Sequence, residues 1–193
     1  MLSRAYRLSL ALGLLFLVAA CAQPARISAM VVNVSAETIV EPDSPLHDGV
    51  GIAGVSGGKE TSPLWKSEVS SQNFEEALRL SLQQHTMYTA TEGDLTLTVQ
   101  LEKLDQPIVG FDMEVTSTVK YTVTRQGAGI VFEESIVYAH TQDFSSAPLG
   151  VKRLQLANEG AIRNNIRAFI IKIIAEAKAD PETFGGTNAP ATS

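Results

Sequence analysis

Cysteine is almost absent from this chain, with Cys21 the only one in 193 residues. An intrachain disulfide framework and a thiolate metal cluster are therefore both excluded. Histidine is scarce too, and His47, His85 and His140 stand in separate segments without a second histidine or cysteine at ligand spacing. That pattern implies no metal and no cofactor. Positive charge is also in short supply, for the formal net charge is −6, and Arg4 and Arg7 fall in the first twenty residues. Beyond them 13 Lys plus Arg face 21 Asp plus Glu, a formal charge of −8, so a nucleic-acid partner has no electrostatic support. Long apolar runs are lacking after the N-terminus. The one run, Leu8 to Val18, is well short of the roughly 20 residues that a membrane-spanning helix needs, which excludes a polytopic membrane protein.

What the first twenty residues do contain is a basic start, that apolar stretch and the small pair Ala19 and Ala20, the three-part order of a cleavable secretory signal. The junction Leu17-Val18-Ala19-Ala20-Cys21 resembles the bacterial lipobox. The resemblance implies that the Cys21 thiol takes a diacylglyceryl group, that cleavage precedes Cys21, and that its freed amine takes a further palmitate-like acyl chain. Each buried methylene contributes about 0.8 kcal/mol, so two or three chains hold a soluble domain firmly at a membrane. A buried core thiol is the bland alternative for a lone cysteine. Ala22 stands where an aspartate would resemble an inner-membrane retention signal, and by that resemblance the outer membrane is implied, with the domain facing the periplasm.

The remaining 173 residues suffice for one domain with a hydrophobic core. The expected organisation is a signal peptide over 1–20, a lipid-anchored tether over 21–25, a single domain over 26–180 and a disordered tail over 181–193. A first strand is expected from Arg26 to Val34, then a Pro/Asp/Gly loop and an apolar segment, Val50 to Val55, fit for an edge strand. Asn73 and Glu76 have capping-box spacing and open a helix with Phe74, Ala77, Leu78 and Leu82 on one stripe. Leu95, Leu97, Val99 and Leu101 alternate with Thr96, Thr98, Gln100 and Glu102, and Val115 to Thr124 alternates likewise, so two half-buried strands follow. Ile130 to Ala139 carries apolar residues on both faces and reads as a more central strand completing a meander. From Val151 to Ala179 the period becomes helical, with Gly160 a candidate bend and Pro181 a stop. The order predicts an α+β two-layer sandwich, two helices on one face of a mostly antiparallel sheet of four to five strands.

That order and size resemble the small periplasm-facing outer-membrane lipoproteins, including the family of lipopolysaccharide-transport accessory lipoproteins. The phrases Gly57 to Trp65 and Leu156 to Ile166 are similar to a group of uncharacterised alphaproteobacterial lipoproteins. Neither resemblance carries a mechanism.

Candidate chemistry fails on spacing or context. Gly49-Val50-Gly51-Ile52-Ala53-Gly54 satisfies the dinucleotide string, but a Pro/Asp loop precedes it and no helix opens after it. His85 extends the apolar side of a helix and reads as packing. His140 lies near Asp143, Ser145 and Ser146 without a nucleophile elbow. Glu133 and Glu134 point to opposite faces of a strand and cannot flank one bond.

Three readings of function remain. The leading one is a noncatalytic outer-membrane lipoprotein serving as an assembly, transport-accessory or scaffolding subunit, through an envelope protein or self-association. The second is a module binding lipid or envelope glycan, and the third, a periplasmic hydrolase, lacks an assembled site. Candidate interface residues are Trp65, Ile170, Ile171, Ile174, Arg163 and Arg167, because the isoleucines exceed one narrow stripe and Trp65 sits in a proline-bounded loop. Trp65 can equally cap the core, and the arginines can merely keep the helix soluble.

Overall fold

The sheet follows the period of two written in its strands. In the computed structural model, which describes residues 22–62, 67–91, 93–107 and 110–185, β1 (Val50–Ser56), β2 (Leu95–Asp105), β3 (Met113–Arg125) and β4 (Gly129–Gln142) lie side by side in that order. The helices are α1 (Ile27–Met30), α2 (Ser71–Gln84), α3 (Gly150–Ala179) and α4 (Pro181–Phe184). β2, β3 and β4 form the expected antiparallel meander, whereas β1 pairs with β2 in parallel. Parallel neighbours need a crossover, and α2 supplies it. On β3, Val115, Ser117, Val119, Tyr121 and Val123 are fully buried, while Thr116, Thr118, Lys120, Thr122 and Thr124 on the other face keep contact with water. The helices therefore cover one face of an α+β sheet, and the other is wet and rich in threonine.

Two expected strands are corrected. Arg26 to Val34 is not a strand: it forms α1 and then extended chain. Its backbone groups find side chains instead of a ladder, since Glu159 Oε1 accepts from the Arg26 N–H and Ser81 Oγ from the Val32 N–H. Among the described residues no fifth strand lies beside β4, so it is an outer strand rather than a central one. Phe132 and Ile136 are buried there, but Ile130, Val137 and Tyr138 are exposed.

The thirty residues of α3 lie along β3 and β4. Phe169 stacks on Tyr121 with ring centroids 4.2 Å apart and meets Phe132 edge-on at 5.9 Å. Gly160 does not divide the helix. A Cβ there would come within 2.1 Å of the His140 ring, so this glycine lets the end of β4 close against α3. At α2 the cap is Ser70, whose Oγ accepts from the Asn73 N–H. Asn73 is thus inside the helix, and Glu76 pairs with Arg79 instead of completing a capping box.

The expected tail is ordered in its first part. Pro181 ends α3 and opens α4, Phe184 is buried, and Arg125 Nη1 donates to the carbonyls of Glu182, Thr183 and Gly185 at 2.6, 2.7 and 3.1 Å.

Truncating Phe169 removes the ring shared by α3, β3 and β4. Phe169→Ala is expected to destabilise the domain by about 3 to 5 kcal/mol, read as a lowered urea midpoint. A shift no larger than that of Lys172→Ala contradicts this placement of the core.

Candidate functional site

The densest set of polar contacts far apart in sequence joins the first described residues to one side of α3. Gln155 Nε2 donates to Pro24 O at 2.7 Å, and Arg163 Nη1 donates to Ala29 O at 2.8 Å. Between them Glu159, almost wholly buried, takes three bonds of 2.9 Å from the Arg26 N–H, Nε and Nη2. The fork geometry is bidentate, and the backbone donor uses lone-pair capacity that a salt bridge alone would leave idle. Glu159 in turn raises the pKa of Arg26 above its ordinary value, through the hydrogen bond and the opposite charge.

Other elements close the same joint. Ser67 Oγ donates to Gln23 O at 2.7 Å, Asn73 Nδ2 to Ala25 O at 3.1 Å, and the Ala25 N–H to Glu68 O at 3.2 Å. Behind Ser67, Asn158 Nδ2 and Gln106 Nε2 both donate to its carbonyl, and Gln106 also donates to Asn158 Oδ1 at 2.8 Å. Ala22 and Ala25 are buried. Within the expected tether, the carbonyls of Gln23, Pro24 and Ala25 and the Ala25 N–H are thus bonded to α2, α3 and the loop at Ser67 and Glu68. An open groove of about 620 Å³ runs beside it, lined by residues that include Gln23, Ile27, Leu80 and Lys152.

The candidate interface residues separate. Ile170 and Ile174 are buried in the chain's own core, since α3 is covered on two sides, by the sheet and by the N-terminal segment with α2. They are not available to a partner of the folded chain. Ile171 is half-buried and Arg167 exposed, while Arg163 is spent on Ala29 O. Cys21 and Trp65 lie outside the described residues.

The neighbours of Arg163 are structural as well. Asn165 is buried, accepting from Tyr121 Oη at 2.9 Å and donating to Ile136 O at 2.9 Å and Ser117 Oγ at 3.1 Å. Burial pushes the Tyr121 hydroxyl well up from its ordinary value, so it stays protonated and serves as a donor.

The histidines do not converge on a nucleophile. His85 is buried with Nδ1 2.6 Å from Ser81 O and Nε2 3.0 Å from Thr38 Oγ1. A neutral ring donating to Ser81 and accepting from Thr38 satisfies both nitrogens. Desolvation holds its pKa below the ordinary value, and Arg167 adds to the effect. His140, lowered by burial and by Arg163, meets Asn164 Nδ2 at 3.3 Å. Ser146 Oγ donates to Asp143 O, not to an imidazole. Glu133 and Glu134 pair separately with Lys120 and Lys172, and the glycine string at Gly49 to Gly54 enters edge strand β1. Among the described residues no cluster of His, Cys, Asp and Glu could hold a metal ion, and no helix is long and apolar enough to cross a membrane.

The fold defines a class: an α+β domain of a four-stranded mixed sheet with helices on one face. Similar in fold are a Xanthomonas campestris protein of the DUF330 family, 10% identical over 79% of this chain and 95% of that one with a TM-score of 0.57, and a hypothetical protein of Chlamydia trachomatis, 10% identical over 69% and 99% with a TM-score of 0.50. A minor lipoprotein of Acinetobacter baumannii aligns with a TM-score of 0.45, 10% identical over 67% of this chain and 94% of that one. In sequence, no protein-family model and no curated protein matches the chain.

Two outcomes test the site. Glu159→Gln keeps the shape but removes the charge from a triple acceptor, so amide exchange at Arg26 to Val32 should accelerate by at least tenfold, equal to about 1.4 kcal/mol of local stability. Unchanged protection there would show that the apolar contacts alone hold the segment. The histidine shifts set a pH dependence. Their folded pKa values lie below the unfolded ones, so the unfolded chain takes up protons first; the stabilisation is complete above about pH 6.5 and is lost as pH falls through the folded values. Urea midpoints should fall between pH 7 and pH 5 in the native protein and fall less steeply in His85→Gln. An identical slope would remove His85 from the account.

Proposed function

We propose that the chain is a noncatalytic, lipid-anchored envelope lipoprotein that serves as an assembly, transport-accessory or scaffolding subunit on the periplasmic side of the outer membrane. One observation carries the reading. The lipobox-like junction ends at Cys21, and Ala22, the next residue, is already buried in the fold. Cleavage before Cys21 would keep every described residue of the fold and would leave acyl chains on the residue next to the buried Ala22. The site chemistry agrees with a structural subunit, since the buried Glu159, Asn165 and His85 are each satisfied by bonds within the chain. A second reading, a binding module for lipid or envelope glycan, draws on the groove beside Gln23 and Lys152. It has lost Ile170 and Ile174 as cleft walls, because both lie in the core. A hydrolase would need a nucleophile joined to a base, and Ser146 bonds a carbonyl instead.

Cys21→Ser should abolish incorporation of labelled fatty acid while leaving the folded domain's urea midpoint unchanged. Labelling that persists in the variant overturns the anchor. Crosslinking in intact membranes then separates the readings: one stoichiometric envelope protein supports the accessory role, and lipid or glycan recovered without protein supports the binding module.

A further inference from the structure

The N-terminal segment descends α3 in regular steps. Ala29 is held by Arg163, Arg26 by Glu159 and Pro24 by Gln155, so each contact lies one helical turn, about 6 Å, nearer the start of α3. The next turn in that direction begins at Val151, in the first turn of the helix. Cys21 precedes the buried Ala22 by one Cα step, about 3.8 Å. The acyl chains proposed for it therefore leave the domain at the N-terminal end of α3.

That same end presents the most exposed large apolar side chain of the described residues. Phe111 is 80% exposed, and Phe144 and Leu149 are about half exposed, at 50% and 47%. The two rings meet edge-on with centroids 5.8 Å apart. They are held in place from below: buried Arg153 lies 4.7 Å from the Phe144 ring centre and donates to Ala147 O at 2.6 Å and Pro148 O at 3.1 Å. The Phe144 N–H donates to Asp112 Oδ1 at 2.8 Å, which ties the turn to the chain beside Phe111. Two aromatics fixed outward in water are a standing cost to the isolated domain.

We infer that this end is a membrane-seating surface, with Phe111, Phe144 and Leu149 entering the headgroup and upper acyl region of the bilayer that holds the Cys21 lipid. The inference rests on the lipoprotein reading and adds an orientation to it. Aromatic and aliphatic side chains at that depth add buried area to an anchor already present. Lys152, whose Nζ donates to Gln155 Oε1, lines the groove beside Gln23, three residues after Leu149. Asp112 and Asp143 stand beside the rings, so the seating is shallow, with both carboxylates left at the headgroup level.

The test uses the full acylated protein in vesicles of phosphatidylethanolamine with a minor fraction of phosphatidylglycerol. Acylation blocks the only native thiol, so Phe111→Cys, Leu149→Cys and Gln126→Cys can each carry a single nitroxide; Leu149→Cys leaves both rings in place, and Gln126 marks the opposite end of the sheet. The expected result is a several-fold lower collision rate with a water-soluble nickel chelate at 111 and 149 than at 126, with oxygen collisions enhanced. Equal nickel access at all three positions overturns the seating. So does protection from both reagents accompanied by crosslinking between copies, which would make the end a protein contact. Fatty-acid labelling of the same preparations distinguishes the two levels: acylated protein with wet labels removes the seating alone, whereas protein without acylation at Cys21 removes the lipoprotein reading with it.

Discussion

The structure depends on covering α3 along two of its sides. Ile166, Phe169, Ile170, Ile173 and Ile174 are all buried, a spread too wide for one narrow stripe against a sheet. β3 and β4 take one side, and the other would face water unless a separate piece of chain lay over it. The segment that does so has only a few buried apolar residues of its own, among them Ala25, Met30 and Val32. Burial alone would leave its register loose, and polar bonds set it. Glu159 is the centre of that arrangement because its three acceptor bonds offset the desolvation that an unpaired buried carboxylate would suffer. Arg26 keeps about half its side chain in water, so only one ion of the pair bears the full cost of burial. For the same reason the pair specifies where the segment lies more than it adds stability.

Much of the sheet was legible because strand alternation and helix stripes are local signals. Leu95 to Leu101 and Val115 to Val123 show their buried face in the residue types themselves, and α3 was bounded within a residue by its period and by Pro181. What was not legible depends on neighbours far away in sequence. Val31, Val32 and Val34 have the composition of a strand, yet the groups that bind their segment, Ser81, Glu159 and Arg163, lie roughly 50 to 130 residues on. Ile130 to Ala139 looked central because apolar residues occupy both faces, but an outer strand can carry exposed Val137 and Tyr138 when no later strand arrives to pair with it. The N-terminal joint could have been suspected from Asn158 and Glu159, polar residues set among Leu154, Ala157, Ala161 and Ile162. A carboxylate at such a position needs a cationic partner, and sequence alone could not say that Arg26 was the one.

Perturbed titration is often a mark of function, but here it follows from packing. His85 is lowered because it fills a site between α2 and the turn at Thr38, and Tyr121 is raised because its hydroxyl lies in the core against Asn165. Each is a buried polar group with its partners in place. The same accounting covers two arginines of α3: Arg163 and Arg153 donate to backbone carbonyls of this chain. A surface for other molecules must then be sought among side chains that the fold does not need, such as the exposed rings at Phe111 and Phe144.

Fixing the N-terminal segment also limits what a domain anchored at Cys21, as proposed, could reach. A free tether of five residues would allow the domain to wander about 17 Å from the bilayer and to turn in any direction. With Ala22 buried, Pro24 and Arg26 bonded to α3, and Gln23 and Ala25 bonded to Ser67, Glu68 and Asn73, rotation about the proposed anchor is opposed by the whole joint. β3 starts near the cluster at Phe111 and runs away from it, and thirteen residues at about 3.3 Å each place Arg125 roughly 40 Å from Met113. An anchored, seated domain would therefore hold α4 and the turn between β3 and β4 at a set height above the lipid, with the threonine face of the sheet upright along the side. Under the proposed anchor and seating, a partner embedded in the same bilayer would meet that side, whereas one approaching from away from the lipid would meet the far end.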